Sequence, residues 1–318
     1  MESYGLIWLT CDVSVMLNPT SERDVWLEIL VRELPDERIY LWPDVADPDS
    51  VEFAVFWHHD PADLLRYPKL RTILSVSAGV EQFLGGVYPE VPIVRLSDPA
   101  MAAEMAAYAV HWVVHFHRRM ATYLELQSVS EWRPIRTVDA HGFPVGILGY
   151  GVMGRTVGEA LTRLGYPLGA WTRSGGQDAD VTHFRGSDGL DQMLSTSAAV
   201  INILPLTPYT EGLINADRFA QFRRGALYMS MGRGGTTVEA DLLAALDRGP
   251  LGTAVLDVTA AEPLPTGSPL WNHPRVRITP HASGFTRART AAPLVAANIR
   301  RVRRGEQPFP LYDPLRGY

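Results

Sequence analysis

Short apolar runs alternate with amphipathic segments along most of the chain. A run such as Val145–Leu148 is short enough for a strand buried on both faces, and the segments between runs carry apolar residues at the spacing of a helix. Before residue 99 the pattern predicts the helix Glu22–Glu33 and the strands Tyr4–Leu9, Arg38–Leu41, Phe53–Trp57, Arg71–Val76 and Ile93–Leu96. Strands that alternate with helices favour a parallel sheet with helices packed against it.

A longer apolar segment follows this first sheet. Asp98-Pro99 has the form of a helix start, with Asp as the N-cap and Pro in the first turn, and predicts a helix over Ala100–His117. The helix is apolar nearly all round, which is typical of a buried connector between domains. Its three histidines have no acid or cysteine beside them in the pattern of a metal site, so we expect packing roles and no metal.

The alternation resumes after residue 142 and predicts a second, larger sheet. Its six predicted strands are Val145–Leu148, Leu168–Thr172, Ala198–Leu204, Gly225–Met231, Thr253–Val258 and Val276–Thr279. Six strands with helical crossovers form a doubly wound parallel sheet. The polar stretch Tyr123–Gly142 predicts irregular structure, and the last helix, Thr286–Arg304, is expected to cross back so that the tail rejoins the first sheet.

The first strand of the second sheet leads into a glycine motif. Gly149, Gly151 and Gly154 are spaced as G-x-G-x-x-G between this strand and a helical pattern. The first glycine allows a tight turn, the second lets the backbone approach a pyrophosphate, and the third lets helix and strand pack closely. Because strand, glycines, helix and second strand arrive in order, a dinucleotide site is favoured over an ordinary glycine-rich turn.

The end of the second strand indicates which dinucleotide binds. An NAD site usually places Asp or Glu there, where it holds the ribose 2′-hydroxyl. This chain has Thr172-Arg173-Ser174 instead. Arg173 can hold a 2′-phosphate, with Ser174 as a further donor, although an ordinary exposed arginine is the alternative. We therefore expect NADP (NADPH) to be preferred, with NAD also possible.

Composition excludes several classes of function. The net charge of −6 does not favour binding to nucleic acid or to an anionic membrane. Cys11 is the only cysteine, which excludes an internal disulfide and fits a reducing compartment. No apolar run reaches the length of a membrane span and the N-terminus lacks a basic, signal-like start, so a cytoplasmic protein is expected.

Three further segments end at strand C-termini and carry candidate chemistry. They are Met231–Gly235, Leu256–Pro265 with its D-V-x-x-x-E-P-L-P pattern, and Ile278–Ser283 with T-P-H. Together with the glycine motif, this set resembles the D-isomer-specific 2-hydroxyacid dehydrogenase family, in particular its glyoxylate/hydroxypyruvate reductase branch. The resemblance covers essentially the whole chain and includes Arg95-Leu96 with Asp98-Pro99, Pro205-Leu206-Thr207 and the closing Arg316-Gly317-Tyr318.

The resemblance implies a domain organisation. It matches an α/β protein of two Rossmann-like domains. A doubly wound parallel-sheet domain that binds the dinucleotide would span residues 99–286, and a smaller flavodoxin-like substrate domain would combine residues 1–98 with residues 287–318. The length of 318 residues suits two domains of ordinary size.

The resemblance also implies catalytic roles that suit the side chains. Arg233 would grip the carboxylate of a 2-keto acid and polarise the neighbouring carbonyl. His281 would donate a proton to the carbonyl oxygen while hydride arrives from the nicotinamide, and Glu262 would favour the imidazolium and orient the ring. Taken alone, each of these residues is more often part of a structural ion pair than catalytic; the joint position of all three at strand ends reverses this and favours catalysis.

The implied binding residues form two further sets. The residues expected to bind the cofactor are Gly149, Gly151, Val152, Met153, Gly154, Arg173, Ser174, Leu204, Pro205, Thr210, Met231, Gly232, Asp257 and Ser283. Those expected to bind the substrate are Trp57, Ala78 and Gly79, together with Arg233 and His281. Asp257 would accept from the nicotinamide carboxamide, the amides of Ala78 and Gly79 would hold the substrate carboxylate, and Trp57 would wall the pocket.

Two positions depart from the family pattern. The family usually has an acid on the connector helix where this chain has Ala107, and Glu104, one turn earlier, is a candidate substitute. The residues before Arg233 read Ser-Met-Gly, where many members carry Asn-x-Ala. The resemblance further implies a homodimer formed through the cofactor domains, with Tyr123–Gly142 as the dimer arm and Trp132 reaching towards the neighbouring subunit's site.

The sequence thus favours an oxidoreductase that transfers hydride from NADPH to a small 2-keto acid such as glyoxylate or hydroxypyruvate and gives the D-2-hydroxy acid. One alternative is a cofactor-sensing regulatory protein on the same fold without efficient catalysis, which would not need an acid catalyst such as His281. Another is a methyltransferase with a similar glycine loop, against which Arg173 counts. The expected partners are a small-molecule 2-keto acid and a second copy of the chain; binding to nucleic acid or to a membrane is not expected.

Overall fold

The computed structural model describes residues 14–19, 21–57, 60–173, 176 and 178–317. The chain divides into two compact units: unit 1 is Met1–Asp98 with Thr286–Tyr318, and unit 2 is Pro99–Phe285. The predicted strand Tyr4–Leu9 lies outside the described residues.

Parallel strands and helices alternate in both units. The strands are β1 (Ser14–Asn18), β2 (Arg38–Leu41), β3 (Val51–Phe56), β4 (Thr72–Ser75), β5 (Ile93–Val94), β6 (Val145–Leu148), β7 (Leu168–Trp171), β8 (Val181–Phe184), β9 (Ala199–Asn202), β10 (Ala226–Ser230), β11 (Leu251–Leu256) and β12 (Val276–Ile278). The α-helices are α1 (Arg23–Glu33), α2 (Pro99–His117), α3 (Met120–Ser128), α4 (Val152–Arg163), α5 (Gly186–Thr196), α6 (Ala216–Ala220), α7 (Glu239–Asp247) and α8 (Ala288–Arg303).

Unit 1 is built on a parallel sheet whose described strands have the order β2-β1-β3-β4-β5. This order is that of flavodoxin-like folds. Strand β1 lies inside the sheet, between β2 and β3, yet the hydrophobic pattern does not predict it. The reason is that its apolar core is short and flanked by polar residues: Ser14 is buried and its hydroxyl bonds that of Ser50 at 2.8 Å. A buried serine with a distant partner looks like a loop residue in the sequence.

The C-terminal segment completes unit 1. Helix α8 packs against α1, and Arg303 near its end bonds Glu37 at 2.7 Å and Glu52 at 2.6 Å. The tail then runs antiparallel to β5: the amide of Arg95 donates to the carbonyl of Pro310, and that of Tyr312 to Ile93. The tail therefore pairs with the edge strand of the sheet.

Unit 2 contains the larger parallel sheet, with described strands in the order β12-β11-β10-β9-β6-β7-β8. Helices α2 and α4 pack on one face, and α5, α6 and α7 on the other. The prediction of six strands was wrong, because β8 adds a seventh described strand at the edge. Its residues are half-buried or exposed and include Thr182 and His183, so the sequence lacks the apolar run of a buried strand. The two sheets confirm the predicted α/β class with two Rossmann-like units.

The stretch predicted as irregular begins with a helix. Residues Met120–Ser128 form α3, so the prediction for Tyr123–Gly142 was wrong over residues 123–128. Arg119, with φ of 58°, separates α2 from α3. Met, Leu, Glu and Gln are good helix formers, and this local preference outweighs the exposure of most of the segment. Within the part of the chain that the structure describes, no helix has the length and apolarity that crossing a membrane requires.

Candidate active site

The loop after β6 takes its shape from two glycines. Gly149 has φ of +91°, in the left-handed region that favours glycine. A Cβ on Gly154 would lie 2.1 Å from the carbonyl oxygen of Gly149, so no other residue fits between helix α4 and this turn. Both positions match the roles that the motif predicts.

The middle of the same loop is open. A Cβ placed on Gly151 would meet nothing within 4 Å, and Val152 beside it is 59% exposed. Helix α4 begins at Val152, with Gly151 as its N-cap, so the first amides of the helix have no partner within it. An open backbone followed by a helix N-terminus is an anion-binding arrangement, and it fits the pyrophosphate of a dinucleotide.

The connection after β7 carries the residue expected to set the cofactor. Arg173 is exposed two residues beyond Trp171, the end of β7, whereas Ser174 lies outside the described residues. Asp178 lies on the same connection, between β7 and β8, and the glycine motif does not predict an acid at this position. Its carboxylate is paired with the guanidinium of Arg155 from α4. This pairing offsets a negative charge that would otherwise disfavour a phosphate near this connection.

Two further loops contain predicted cofactor residues. After β9, Leu204 is buried and Pro205 half-buried. The hydroxyl of Thr210 donates to the carbonyl of Pro205 at 2.6 Å and accepts from the amide of Thr207, so this side chain closes its own turn. After β10, Met231 and Gly232 are buried, and a Cβ on Gly232 would lie 2.5 Å from the carbonyl oxygen of Leu204. The two loops are therefore in backbone contact.

Arg233 follows β10 on a backbone fixed by glycine on both sides. A Cβ on Gly234 would lie 2.0 Å from the carbonyl group of Thr259, in the loop after β11. The guanidinium of Arg233 donates from Nη1 to the carbonyl of Gly232 at 2.8 Å, and the side chain is half-buried. This packing sets Arg233 beside the loop that carries Glu262.

Glu262 and His281 meet directly. Nδ1 of His281 lies 2.8 Å from Oε2 of Glu262, and the other carboxylate oxygen accepts from the amide of Thr259 at 3.1 Å. The side chain of His281 is 43% exposed and that of Glu262 is 39% exposed, so both are accessible to a ligand. Because Nδ1 faces the carboxylate, Nε2 is the nitrogen that remains for proton transfer.

The backbone of His281 is held in an unusual conformation. Its φ is +52°, in the left-handed region, and its amide donates to the carbonyls of Asp257 and Thr279 at 2.8 and 3.0 Å. The next two amides, of Ala282 and Ser283, donate to the two carboxylate oxygens of Asp257 at 2.7 and 2.9 Å. Asp257 is only 2% exposed. It therefore shapes the loop that presents the histidine.

Two residues at this loop were missed by sequence reasoning. The hydroxyl of Thr279 donates to Oδ1 of Asp257 at 2.6 Å and lies 2.6 Å from the hydroxyl of Tyr108 on α2. Tyr108 and Thr279 are 171 residues apart, so no local pattern links them. In the sequence Tyr108 is one of the large side chains that make this helix apolar nearly all round, so nothing local signalled the role of its hydroxyl.

In unit 1, the predicted substrate residues follow neighbouring strands. Trp57 comes directly after β3, and Ala78 and Gly79 lie in the loop after β4; all three are half-buried. The loop is braced by serines: the amide of Ser77 donates to the hydroxyl of Ser75, and the amide of Gly79 to the hydroxyl of Ser77, both at 3.2 Å. The Gly79 amide thus already has an acceptor within its own loop.

The chain matches one family description. Residues 110–283, just over half of the chain, match the D-isomer specific 2-hydroxyacid dehydrogenase, NAD binding domain. The match covers β6 to β12 and includes the glycine motif, Arg233, Glu262 and His281.

Solved structures resemble the chain over nearly all of its length. A D-isomer specific 2-hydroxyacid dehydrogenase from Xanthobacter autotrophicus, in complex with NADPH and MES, is 35% identical, with a TM-score of 0.91 over 96% of this chain and 99% of that chain. An NADPH-dependent glyoxylate/hydroxypyruvate reductase from Sinorhizobium meliloti, in complex with NADP and sulfate, is 30% identical, with a TM-score of 0.89 over 96% and 100%. A probable 2-hydroxyacid dehydrogenase from Rhizobium etli, in complex with NADP, is 28% identical, with a TM-score of 0.88 over 96% and 99%.

Proposed function

The chain belongs to the D-isomer specific 2-hydroxyacid dehydrogenase family, and from this premise we propose that it reduces a small 2-keto acid of the glyoxylate or hydroxypyruvate type with NADPH and gives the D-2-hydroxy acid. The observation that carries the proposal is the pair formed by Nδ1 of His281 and Oε2 of Glu262 at 2.8 Å. The similarity to the Sinorhizobium meliloti reductase supports the substrate class.

His281 acts as the general acid in this proposal. Its Nδ1–H donates to Glu262, which orients the ring and favours the imidazolium, and Nε2–H transfers its proton to the carbonyl oxygen of the substrate. When bound, NADPH supplies the hydride that the carbonyl carbon receives. A proton on oxygen and a hydride on carbon complete the hydroxy acid.

Arg233 binds and polarises the substrate. A guanidinium presents a planar fork that matches a carboxylate in two parallel hydrogen bonds, and its charge also draws electron density from the adjacent carbonyl. The backbone around Arg233 is fixed by Gly232 and Gly234, each in close contact with a neighbouring loop. A fixed fork is what oriented binding of a small 2-keto acid requires.

The decisive experiment follows NADPH absorbance in the presence of glyoxylate, hydroxypyruvate and larger 2-keto acids. We expect turnover with at least one of them, and a rate lower by at least about 100-fold with His281→Ala at the same protein concentration. NADPH binding without turnover of any 2-keto acid would instead support a cofactor-sensing protein.

We propose that Arg173 binds the 2′-phosphate of NADPH. One charge-assisted hydrogen bond contributes about 1.5–3 kcal/mol, which corresponds to about 10- to more than 100-fold preference over NADH. Arg173→Asp should remove this preference in kcat/KM and spare turnover at saturating NADH. The matched control is Arg163→Asp, a charge reversal at an exposed arginine on α4. An unchanged ratio in Arg173→Asp would overturn this part of the proposal.

For unit 1, we propose that the loop around Ala78 and Gly79 binds the carboxylate of the substrate mainly through the amide of Ala78, since the amides of Ser77 and Gly79 already donate to serine hydroxyls. Ala78 and Gly79 are half-buried small residues after the carboxyl end of β4, where open α/β sheets bind ligands. Ala78→Pro removes one amide donor and should raise KM for the keto acid without changing the affinity for NADPH. A KM equal to that of the wild type would exclude the Ala78 amide.

We also propose a homodimer formed through an apolar surface, defined by α3 and the segment 129–139. It exposes Met120, Leu124, Val129, Trp132 and Val138, and the indole of Trp132 is 99% exposed. Several exposed apolar side chains on one segment are typical of an interface. A second copy is the occupant that the family resemblance supports.

The oligomeric state tests this surface. Leu124→Glu with Trp132→Ala should convert a dimer to a monomer in analytical ultracentrifugation, whereas Trp271→Ala, at another exposed tryptophan, should not. If Trp132→Ala alone raises KM while the dimer persists, Trp132 also contributes to a substrate site. A wild-type protein that sediments as a monomer at micromolar concentration would refute the proposal.

A further inference from the structure

One face of α2 lies against the loop that carries His281. Met101, Glu104, Met105 and Tyr108 follow each other at the spacing of a helical stripe, and each has a contact with residues 279–285. A Cβ on Gly284 would lie 2.8 Å from Cγ of Met105 and 3.1 Å from Cγ of Met101. Oε2 of Glu104 accepts from the amide of Phe285 at 3.2 Å. The helix therefore holds the far end of the loop by packing and by one hydrogen bond.

The near end of the loop is held by a chain of hydrogen bonds whose direction can be assigned. The Asp257 carboxylate accepts from the amides of Ala282 and Ser283, and the hydroxyl of Thr279 donates to its Oδ1. Thr279 has a single hydroxyl proton. The hydroxyl of Tyr108, 2.6 Å away, is therefore the donor to Thr279.

Tyr108 is suited to this role because its phenol stays protonated. Burial raises the pKa of Tyr108 to about 12, with the hydrogen bond to Thr279 acting in the opposite direction. A phenol with this pKa is protonated at neutral pH and so keeps the proton that it donates to Thr279. Its ring also packs against the core under α2, which fixes the position of the hydroxyl.

From this geometry we propose that Tyr108 is a positioning residue for the general acid: the chain Tyr108–Thr279–Asp257 holds the backbone of His281 in its left-handed conformation and so aims the imidazole. The inference rests on the proposed function of His281 and extends it to a side chain on the connector helix. A left-handed conformation is costly for a residue with a side chain and persists only when its surroundings enforce it. The two amides bound to Asp257 and the hydroxyl of Thr279 enforce it here.

The first test separates positioning from packing by single-group changes. Tyr108→Phe and Thr279→Val should each lower kcat about 3- to 10-fold, the value of one hydrogen bond, with KM and NADPH affinity within about twofold of wild type. Thr279→Ser retains the hydroxyl and should restore kcat. Because the two residues act in one chain, the double variant should be no slower than the slower single variant.

The matched control is Tyr166→Phe. Tyr166 is a buried tyrosine of unit 2, and its hydroxyl bonds Nδ1 of His117 at 2.9 Å, away from the loop. It should lose comparable stability and keep kcat within about twofold. The proposal is overturned if Tyr108→Phe is no slower than Tyr166→Phe, if Thr279→Ser is as slow as Thr279→Val, or if the loss lies in KM alone.

The second test does not depend on activity. Hydrogen exchange of the amides of Ala282 and Ser283 reports directly whether the loop is held. In the cofactor-free protein, exchange should be at least about fivefold faster in Tyr108→Phe than in wild type or Tyr166→Phe, since an amide exchanges when its hydrogen bond opens. If exchange is faster in Tyr108→Phe but the wild-type protein reduces no 2-keto acid, the hydrogen-bond chain is supported and the proposed function is refuted. If the wild-type protein is active but exchange in Tyr108→Phe is unchanged, only the hydrogen-bond chain is refuted.

Discussion

Two loops of unit 2 are shaped by different means. The loop Gly149–Gly154 needs no side chain for its shape, because a left-handed glycine and a close contact between two backbones fix it. The loop Thr279–Ser283 contains a left-handed histidine, and its shape depends on the carboxylate of Asp257 from the neighbouring strand. The first loop leaves room for a ligand, whereas the second aims a side chain. A loop that must leave space is thus fixed by its backbone, and a loop that must direct a side chain is fixed by a neighbouring side chain.

The largest expected effect comes from removing the side chain that the second loop presents. His281→Ala should lower kcat about 10²- to 10⁴-fold, the usual contribution of general acid–base catalysis, with NADPH affinity little changed. Steady-state kinetics and a binding titration measure the two quantities. His273→Ala is the matched control, since His273 also pairs with a carboxylate, that of Asp247 at 3.3 Å. Equal kcat in the two variants would remove His281 from the mechanism.

The first loop can be broken in two distinct ways. Gly154→Ala places a Cβ 2.1 Å from a carbonyl oxygen and should lower both the stability of unit 2 and NADPH affinity. Gly151→Ala meets nothing within 4 Å and should leave the melting temperature unchanged, yet weaken NADPH at least about 10-fold because a methyl group would occupy the approach of the pyrophosphate. Calorimetry and a binding titration distinguish the two. Normal NADPH binding by Gly151→Ala would mean that the pyrophosphate does not lie there.

The second loop should be sensitive to its buried acceptor. Asp257→Asn replaces one acceptor oxygen by a donor group, which then faces the amides and hydroxyl that now bind it. An unsatisfied buried donor costs about 1–3 kcal/mol, and we expect a loss of unfolding free energy in this range together with a lower kcat. Denaturant unfolding and kinetics check both. Full stability with reduced NADPH affinity would point to contact with the nicotinamide as the main role of Asp257.

A milder change is the loss of the charge on Glu262, which contacts His281 of the second loop, and it tests the pH range of the reaction. In Glu262→Gln the acceptor that faces Nδ1 of His281 loses its negative charge, so the alkaline limb of the kcat/KM profile for reduction should move to lower pH. The profile of Asp247→Asn should match that of wild type. An unmoved alkaline limb in Glu262→Gln would separate the glutamate from the proton donor.

The smallest effect is expected at a carboxylate of unit 1 that serves as a control for Asp257. Burial alone would raise the pKa of Glu52, but its hydrogen bonds to Arg71 and Arg303 and their charges hold the pKa below its usual value. Such a group stabilises the fold above the pKa of the unfolded state, and this contribution is lost as pH falls through the folded-state pKa. Glu52→Gln should therefore lower the melting temperature at pH 7, converge with wild type as the pH falls below the folded-state pKa of Glu52, and leave kcat unchanged. A changed kcat would mean that the control is not independent of the site.

What the sequence reveals follows from the same contrast. The glycine loop was predictable because the causes of its shape are local. Its motif and the different motifs of three later loops together identified the family, which the match over residues 110–283 confirms. Strand β1 was missed because Ser14 is satisfied by Ser50, 36 positions away. Tyr108 was missed because its partner Thr279 is 171 positions away. A single sequence records a side chain's chemistry but not the distant group that uses it.

The course of the chain through unit 1 has a consequence for synthesis. The first strands are made early, but helix α8, Arg303 and the tail that pairs with β5 belong to the same unit and are made last. On the ribosome, unit 2 is therefore complete before unit 1 can close. Until then, the early sheet has an uncovered edge at β5 and an uncovered α8-binding side on α1. Exposed strand edges and apolar surfaces of this kind are bound by chaperones and lead nascent chains to aggregate.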